Sequence, residues 1–193
     1  MEKKTDARVI KTRRLIEATF LELLQDIPFE KLTTTRLIEE CLISKGTFYA
    51  HFLDKYDLAE QLLDRELELF ENLLIKRLET KKNTPEEIAL IISQAFDFST
   101  NLTVFETLQL PNRKAFYLEL QEVYQKVYRT YLSSHGYQGN LDLQALLFSA
   151  VAMSYVTYVR QGNPVLSAQG VREELLAFLE NMEQHLVRDT RQK

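Results

Sequence analysis

Glycine and proline together supply only nine of the 193 residues, five and four respectively, where average usage of about 7% and 5% would give roughly 23. Collagen-like, linker-rich and turn-dense β architectures are disfavoured by that scarcity. The nine positions, Pro28, Gly46, Pro85, Pro111, Gly136, Gly139, Gly162, Pro164 and Gly170, cut the chain into long uninterrupted segments. Within them the apolar spacing is helical: Ile16, Phe20, Leu23, Leu24 and Ile27 fall at i, i+4, i+7, i+8 and i+11, one face of a helix. No period-two run bounded by turn dipeptides occurs, so no strand is expected.

Helix-start residues agree with the cuts. Thr33, Ser44, Asp54 with Asp57 three residues on, and Thr84-Pro85-Glu86-Glu87 are all caps or first-turn signals. The sequence therefore predicts an all-α chain of about nine helices, over 8–26, 33–40, 44–51, 54–80, 85–99, 101–108, 112–134, 140–161 and 168–188.

Composition narrows the function classes. With 45% hydrophobic and 27% charged residues, both a core and a solvated surface can be built. The single Cys41 forms neither an internal disulfide nor a cysteine-based zinc site, which suits a reducing cytoplasm. The charged stretch Met1 to Arg14 does not read as a signal peptide. Leu143 to Val159 is strongly apolar but interrupted by Gln144, Ser149, Ser154 and Thr157 and flanked by Asp142 and Arg160. It reads as a helix buried against protein on nearly all sides, and no membrane partner is expected. His51, His135 and His185 are far apart in sequence and no phosphate-cradling loop or metal-spaced cluster is present, so the expectation is no enzyme, no cofactor and no metal.

The short segments carry the functional information. Thr33–Glu40, the turn Cys41-Leu42-Ile43, and Ser44–His51 have the layout of a helix-turn-helix, whose second helix enters the DNA major groove. Phe48 and Phe52 at i, i+4 would plug the second helix into a core shared with Phe20, Leu24 and Leu37. Lys45, Thr47, Tyr49 and His51 are then left to face outward. Gly46 lets backbone approach the duplex closely, and hydroxyls of Thr33, Thr34 and Thr47 beside exposed helix-start amides suit phosphate oxygens. Lys55 could neutralise another phosphate, and Lys45 or Tyr49 could reach base edges. Thr33 and Ser44 read equally as caps, Tyr49 as a core-edge aromatic and His51 as a packed or solvated imidazole.

The run Ser44-Lys45-Gly46-Thr47-Phe48-Tyr49-Ala50-His51-Phe52, followed by Asp54-Lys55-Tyr56-Asp57-Leu58, resembles the recognition helix and fourth-helix start of the Tet-repressor (TetR/AcrR) family of bacterial transcription regulators. The likeness extends to the first helix, Arg13 to Asp26, and to Thr33-Thr34-Thr35. It implies a DNA-contact set of Thr33, Thr34, Thr35, Arg36, Lys45, Gly46, Thr47, Tyr49, His51 and Lys55. Two departures stand out. Leu42 occupies the turn position where the family usually has glycine, and a left-handed backbone there costs a non-glycine residue about 1 kcal/mol or more. Ile27-Pro28-Phe29-Glu30-Lys31-Leu32 replaces a common glycine after the first helix and resembles regulators of dihydroxyacetone-kinase operons. Glu39 and Glu40 beside the groove oppose binding.

Net charge is −4, yet Lys3, Lys4, Arg8, Lys11, Arg13 and Arg14 against Glu2 and Asp6 give residues 1–14 a local +4. Such a basic arm would lie near the DNA backbone and supply salt-dependent affinity.

The sequence divides into a DNA-binding domain over 1–55 and a sensing and dimerisation bundle over 56–193. Aromatic residues crowd the bundle, and Phe96, Phe105, Tyr117, Tyr124, Tyr128 and Tyr155 are the candidates for lining an apolar ligand cavity with a few polar handles. Leu143 to Val159 and the stripe Val171, Leu175, Leu179, Met182, Leu186 suggest a self-associating surface, with Leu147, Val151, Tyr158, Leu175, Leu179 and Met182 as dimer-interface candidates. The resemblance implies a homodimer through a four-helix bundle, which would set two recognition helices about 34–36 Å apart. The expected function is a ligand-responsive regulator, a repressor, whose partners are a palindromic double-stranded operator, a second copy and a small-molecule effector. The alternative is an adaptor that keeps the fold but acts on a partner protein, supported by Leu42, Glu39 and Glu40.

Overall fold

The computed structural model describes residues 7–79, 104–111, 113–164, 166 and 168–186. All its regular elements are helical: α1 Ala7–Asp26, α2 Thr34–Glu40, α3 Lys45–Tyr49, α4 Lys55–Glu79, α5 Phe116–Ser134, α6 Leu141–Arg160 and α7 Ala168–Leu186, with one further helical turn at 104–107. The fold is all-α, as the spacing predicts. The expected helix over 85–99 lies outside the described residues, as does the start of the one over 101–108.

The chain packs as two units, Met1–Met153 and Ser154–Lys193. In the first, α1 buries Ile16, Phe20 and Leu24 along one face, the face its spacing predicts. Those side chains meet Phe29, Leu32, Leu37, Phe48, Phe52, Leu58 and Leu62 in one core, every one of these at most 2% exposed. Phe20 meets Phe29 edge-on at 6.2 Å between ring centroids, and Phe48 lies 5.9 Å from Phe52. At about 25 cal/mol per Å² of apolar surface, each buried Phe stabilises this small core by a few kcal/mol.

Local chemistry fixes the short elements on that core. Thr33 Oγ1 accepts from Arg36 N at 3.1 Å and Ser44 Oγ from Thr47 N at 3.0 Å, so both residues are N-caps. Asp54 Oδ1 accepts from the amides of Tyr56 and Asp57, while Asp57 Oδ2 reaches back to Leu53 N at 2.8 Å. This reciprocal pairing starts α4. Between α2 and α3, Ile43 N donates to Ile38 O at 3.4 Å and Leu42 N to Glu39 O at 3.1 Å. That is the double closure of a Schellman turn. Its left-handed residue is Leu42, at φ 53°, the only non-glycine with positive φ among the described residues. The turn closes with leucine in the left-handed position, at the expense of strain.

A second layer forms where α4 meets α5. Phe70, Phe105, Phe116, Leu120, Tyr124 and Val127 are buried, with Tyr124 against Phe70 at 5.0 Å and Phe148 at 5.9 Å. α5 ends at Gly136, φ 72°. α6 is the one described helix long and apolar enough, by length and composition, to cross a membrane, although its four polar interruptions were expected to disqualify it. Burial on nearly all sides, the expectation for this helix, is not what is found: Ala145 and Ser149 are buried on one side of its first half, while Leu143, Leu146 and Leu147 are 49–51% exposed on the other.

In the second unit, the Tyr155 hydroxyl accepts from Leu166 N at 2.7 Å and donates to Leu166 O at 3.0 Å. This holds the turn through Gly162, φ 84°, between α6 and α7. Along α7, Leu175, Leu176, Phe178, Leu179 and Met182 are exposed.

Candidate nucleic-acid interface

The outward face of α3 begins with what lies beneath it. Phe48, fully buried, and Phe52, 1% exposed, commit the inner side to the core. Lys45, Gly46 and Tyr49 are left exposed and Thr47 and His51 half-buried. Tyr49 is 55% exposed and stands edge-on to Phe48 at 5.5 Å between centroids. A rigid aromatic with a free rim and a hydroxyl is suited to base edges or phosphate. His51 leans on Phe52 at 6.2 Å.

Gly46 has no conformational need to be glycine. Its φ is not positive, and a Cβ there would meet only Ser44 Oγ, at 3.8 Å. The missing side chain thus leaves open surface on the outer rim of α3, where a partner's backbone could come close.

The N-terminal edge of α2 lies next in sequence. Thr33, Thr35 and Arg36 are exposed and Thr34 is half-buried. Arg36 pairs with Glu40 at 3.0 Å, so one acid expected to oppose DNA is partly neutralised. The Ser44 and Thr47 hydroxyls share a 2.8 Å hydrogen bond. Thr33 and Ser44 are caps; the Thr33 hydroxyl keeps its proton and a lone pair for a second partner, whereas Ser44 already bonds both the amide and the hydroxyl of Thr47.

Lys55 departs from the expectation of a phosphate contact. Its side chain is buried, 8% exposed, and Nζ donates to the carbonyls of Phe29 at 2.7 Å, Leu32 at 2.7 Å and Glu30 at 3.3 Å. The ammonium also sits 4.5 Å from the Phe29 ring centroid and 5.0 Å from that of Tyr56, in cation–π contact. Burial pushes its pKa below the ordinary lysine value, partly offset by Glu30 and Asp54. The physical reason is geometric: the 28–32 turn points its carbonyls at the start of α4, and the flexible lysine stem reaches them before it reaches solvent.

Part of the basic arm is likewise turned inward. Arg13 Nε donates to Glu17 Oε1 at 2.9 Å, its Nη2 to Gln61 Oε1 at 2.9 Å, and its guanidinium lies 5.0 Å from the Phe52 ring centroid. Glu17, with a side chain 6% exposed, also takes Arg65 Nη1 at 2.6 Å, and Gln61 Nε2 continues to Asp57 Oδ1 at 2.8 Å. A polar chain thus runs from the start of α4 through α1 and back to α4. Sequence reasoning missed Glu17, Gln61 and Arg65. The available signal was a carboxylate beside Ile16 on the buried stripe of α1. Lys11 and Arg14 remain exposed, and residues 1–6 lie outside the described residues.

Cys41 is buried. Burial pushes its thiol pKa up, the Thr19 hydrogen bond opposes this and Glu40 adds to it. It is a core thiol.

The candidate ligand residues do not share one environment. Phe105 and Tyr124 are buried core, and burial pushes the Tyr124 hydroxyl up to about 12. Tyr128 is half-buried and stacked on Phe148 at 4.1 Å. Tyr117 departs from the expectation: it is 47% exposed, because α5 turns Phe116 and Leu120 inward and carries residue 117 to the outer face. Tyr155 holds Leu166, and Phe96 lies outside the described residues. An open groove of about 760 Å³ lies between α4, α5 and the segment that leads into α5, lined by groups including Asp64, Glu71, Arg113, Glu119 and Lys126 but by none of those aromatics. Its charges are paired: Arg113 binds Glu119 at 2.7 Å and Asp64 at 2.8 Å, and Lys126 binds Glu71 at 2.6 Å. Burial opposes the Arg113 charge, but the two carboxylates outweigh it and raise its pKa.

Of the dimer candidates, Leu147, Leu175, Leu179 and Met182 are exposed, at 51%, 37%, 58% and 40%. Val151 and Tyr158 are half-buried.

Comparison with known proteins agrees with this geometry. Residues 15–62 match the family model of bacterial regulatory proteins of the tetR family. HTH-type transcriptional regulators of Staphylococcus aureus are similar. One is 26% identical over 128 residues, 63% of this chain and 69% of its own length. Another is 25% identical over 125 residues, 61% and 68%. Among solved structures, a transcriptional regulator from Aquifex aeolicus superposes with a TM-score of 0.60 at 16% identity, over 89% of this chain and 99% of its own. E. coli NemR in its reduced form superposes at 0.54 and 17% identity, over 88% and 96%. The regulatory protein TetR from Rhodobacter sphaeroides does so at 0.51 and 17%, over 86% and 95%. Residues 15–62 are thus similar to the tetR family of bacterial regulatory proteins, and the helical fold is one that those solved regulators share.

Proposed function

We propose that this protein is a ligand-responsive repressor that binds a palindromic operator as a homodimer. The observation that carries the reading is the two-sided character of α3. Phe48 and Phe52 are locked in the core while Lys45, Gly46 and Tyr49 face outward without a structural duty. A buried inner side and a functional outer side are what a recognition helix needs for a defined presentation to base edges. The DNA-contact set is Lys45, Gly46, Thr47, Tyr49 and His51, with Thr33, Thr34, Thr35 and Arg36 on phosphate. Residues 1–55 supply DNA contact and 56–193 sensing and self-association.

Self-association is supported by the apolar stripes. Leu143, Leu146 and Leu147 are exposed within one stretch of α6, and Leu175, Leu176, Phe178, Leu179 and Met182 within one stretch of α7, so each helix by itself carries a row of apolar side chains in contact with solvent. A two-fold axis would bury the same patch on both copies and present two recognition helices to two half-sites. The effector would act only through its differential affinity for the DNA-competent and incompetent arrangements, and Phe105, Tyr124, Tyr128 and Tyr155 are the aromatic residues proposed to respond to it.

Selection of bound fragments from a genomic library at low salt tests the reading. The expected result is a near-palindromic sequence bound by dimers, and recovery of no enriched sequence would overturn it. A thermal-shift screen of small metabolites, repeated with operator present, identifies an effector as a compound that stabilises the free protein and releases DNA.

A further inference from the structure

Lys55 is the first residue of α4, where the helix dipole disfavours a cation. Its ammonium has three hydrogens to donate, and three carbonyls take them, those of Phe29, Leu32 and Glu30. Aromatic faces of Phe29 and Tyr56 close around it. Nothing of the charge is left to project outward. The carbonyl of Leu32 belongs to the peptide bond that enters Thr33, whose hydroxyl caps α2. On the other side, Asp54 caps α4 immediately after Phe52 and Leu53. The lysine therefore joins two helix starts that are more than twenty residues apart in sequence.

We propose that Lys55 is a positioning residue for DNA recognition, one that fixes the start of α2, with Thr33, Thr34 and Arg36, against the start of α4 and never touches the duplex. This rests on the DNA-binding reading above. Phosphate oxygens accept hydrogen bonds over a range of only a few tenths of an ångström, so a loosened 28–32 turn would weaken every contact made by the α2 start at once. A direct phosphate contact would behave differently, because neutralising one phosphate contributes about 0.9 to the slope of log affinity against log salt.

The test uses the full chain and the operator recovered by selection, with affinity measured over a series of salt concentrations. Lys55→Met is expected to weaken binding about tenfold or more with the salt slope unchanged. Lys55→Arg keeps the charge but presents a planar fork to a three-carbonyl cage, and is expected to weaken binding as well. Thr34→Val removes a hydroxyl at the α2 start. On that background Lys55→Met should cost less than on the unsubstituted chain, because both changes act on the same contacts. A slope that falls by about one, full affinity in Lys55→Arg, or strict additivity with Thr34→Val would each overturn the proposal. If Lys55→Met does not fold, Lys55→Arg carries the same salt and additivity tests. Failure of the unsubstituted protein to select any operator would instead sink the DNA-binding reading and the proposal with it.

Discussion

The helix-turn-helix region and the last helix dispose of apolar side chains in opposite ways. Around α3 the largest core side chains turn inward, with Ile16, Phe20, Leu37 and Phe48 fully buried, while Tyr49 on its outer side is 55% exposed. Leu42 and Leu53 are exposed singly in turns. On α7, Leu175, Leu176, Phe178, Leu179 and Met182 remain 37–58% exposed. A region that completes its core within one chain has its outer surface available for a polar partner. A helix that keeps a row of leucines in contact with solvent pays a continuing hydrophobic penalty that a second apolar surface would remove.

The largest effect is expected from breaking the apolar side of that contrast. Leu147→Glu with Leu179→Glu places two charges where the proposed dimer would bury leucines. Both positions are about half exposed, so the isolated chain should fold. Light scattering coupled to size exclusion should then read a monomer, and operator affinity should fall by about a hundredfold or more, since one protomer engages only one half-site. A dimer that survives both substitutions would place the interface elsewhere. If the protein instead partitions into detergent, the apolar length of α6 has a different meaning.

On the polar side, Lys45→Ala and Tyr49→Ala remove the two side chains most able to reach base edges, at about 1–3 kcal/mol each if they contact bases. The expected result is a loss of sequence preference with the thermal midpoint almost unmoved. Neither side chain is buried. A large drop in midpoint would assign Tyr49 to the core, through its contact with Phe48 at 5.5 Å.

The contrast also explains which parts of the molecule the sequence made readable. Helix starts were legible because a cap is a local event: Thr33, Ser44 and Asp54 each bond an amide two or three residues away. The core phenylalanines were legible because i, i+4 spacing on a short helix leaves them one common side. Lys55 was not. Its partners are the carbonyls of a turn more than twenty residues earlier, and a carbonyl carries no residue identity in a sequence. Arg13 misled for the same reason: its charge suggested DNA, but its partners are Glu17 next to it on α1 and Gln61 across the fold. Tyr117 misled because an aromatic-rich helix does not declare which of its aromatics faces out.

A middle-sized effect comes from the network those residues build. Glu17→Ala would leave Arg13 and Arg65 without the carboxylate that holds both. Glu17 is buried, but its partners are 36% and 39% exposed and can recover water. The cost should therefore be nearer 1–3 kcal/mol than the 3–5 kcal/mol of a fully buried pair. Chemical denaturation measures it, and operator affinity should fall further than stability alone predicts if the network also holds α1 against α4. Equal losses in both would make Glu17 a structural residue only.

The smallest effect has the opposite sign. Leu42 holds φ 53° in the Schellman turn and is 92% exposed, so its side chain contributes almost no burial to offset the strain. Relief of a left-handed conformation is worth about 1–2 kcal/mol. Glycine at the same site costs roughly 0.5–1 kcal/mol in unfolded-chain entropy. The difference favours glycine, and Leu42→Gly should stabilise the fold by about 0.5–1 kcal/mol. Denaturation should show the midpoint rising with an unchanged slope, because the buried surface is the same. Operator affinity separates the two remaining meanings of a leucine in that turn. If Leu42→Gly stabilises the protein and binds as before, the residue is strain without function. If it stabilises the protein and binds more weakly, the exposed leucine is an apolar contact, and the turn holds its strain in exchange for reach toward a partner.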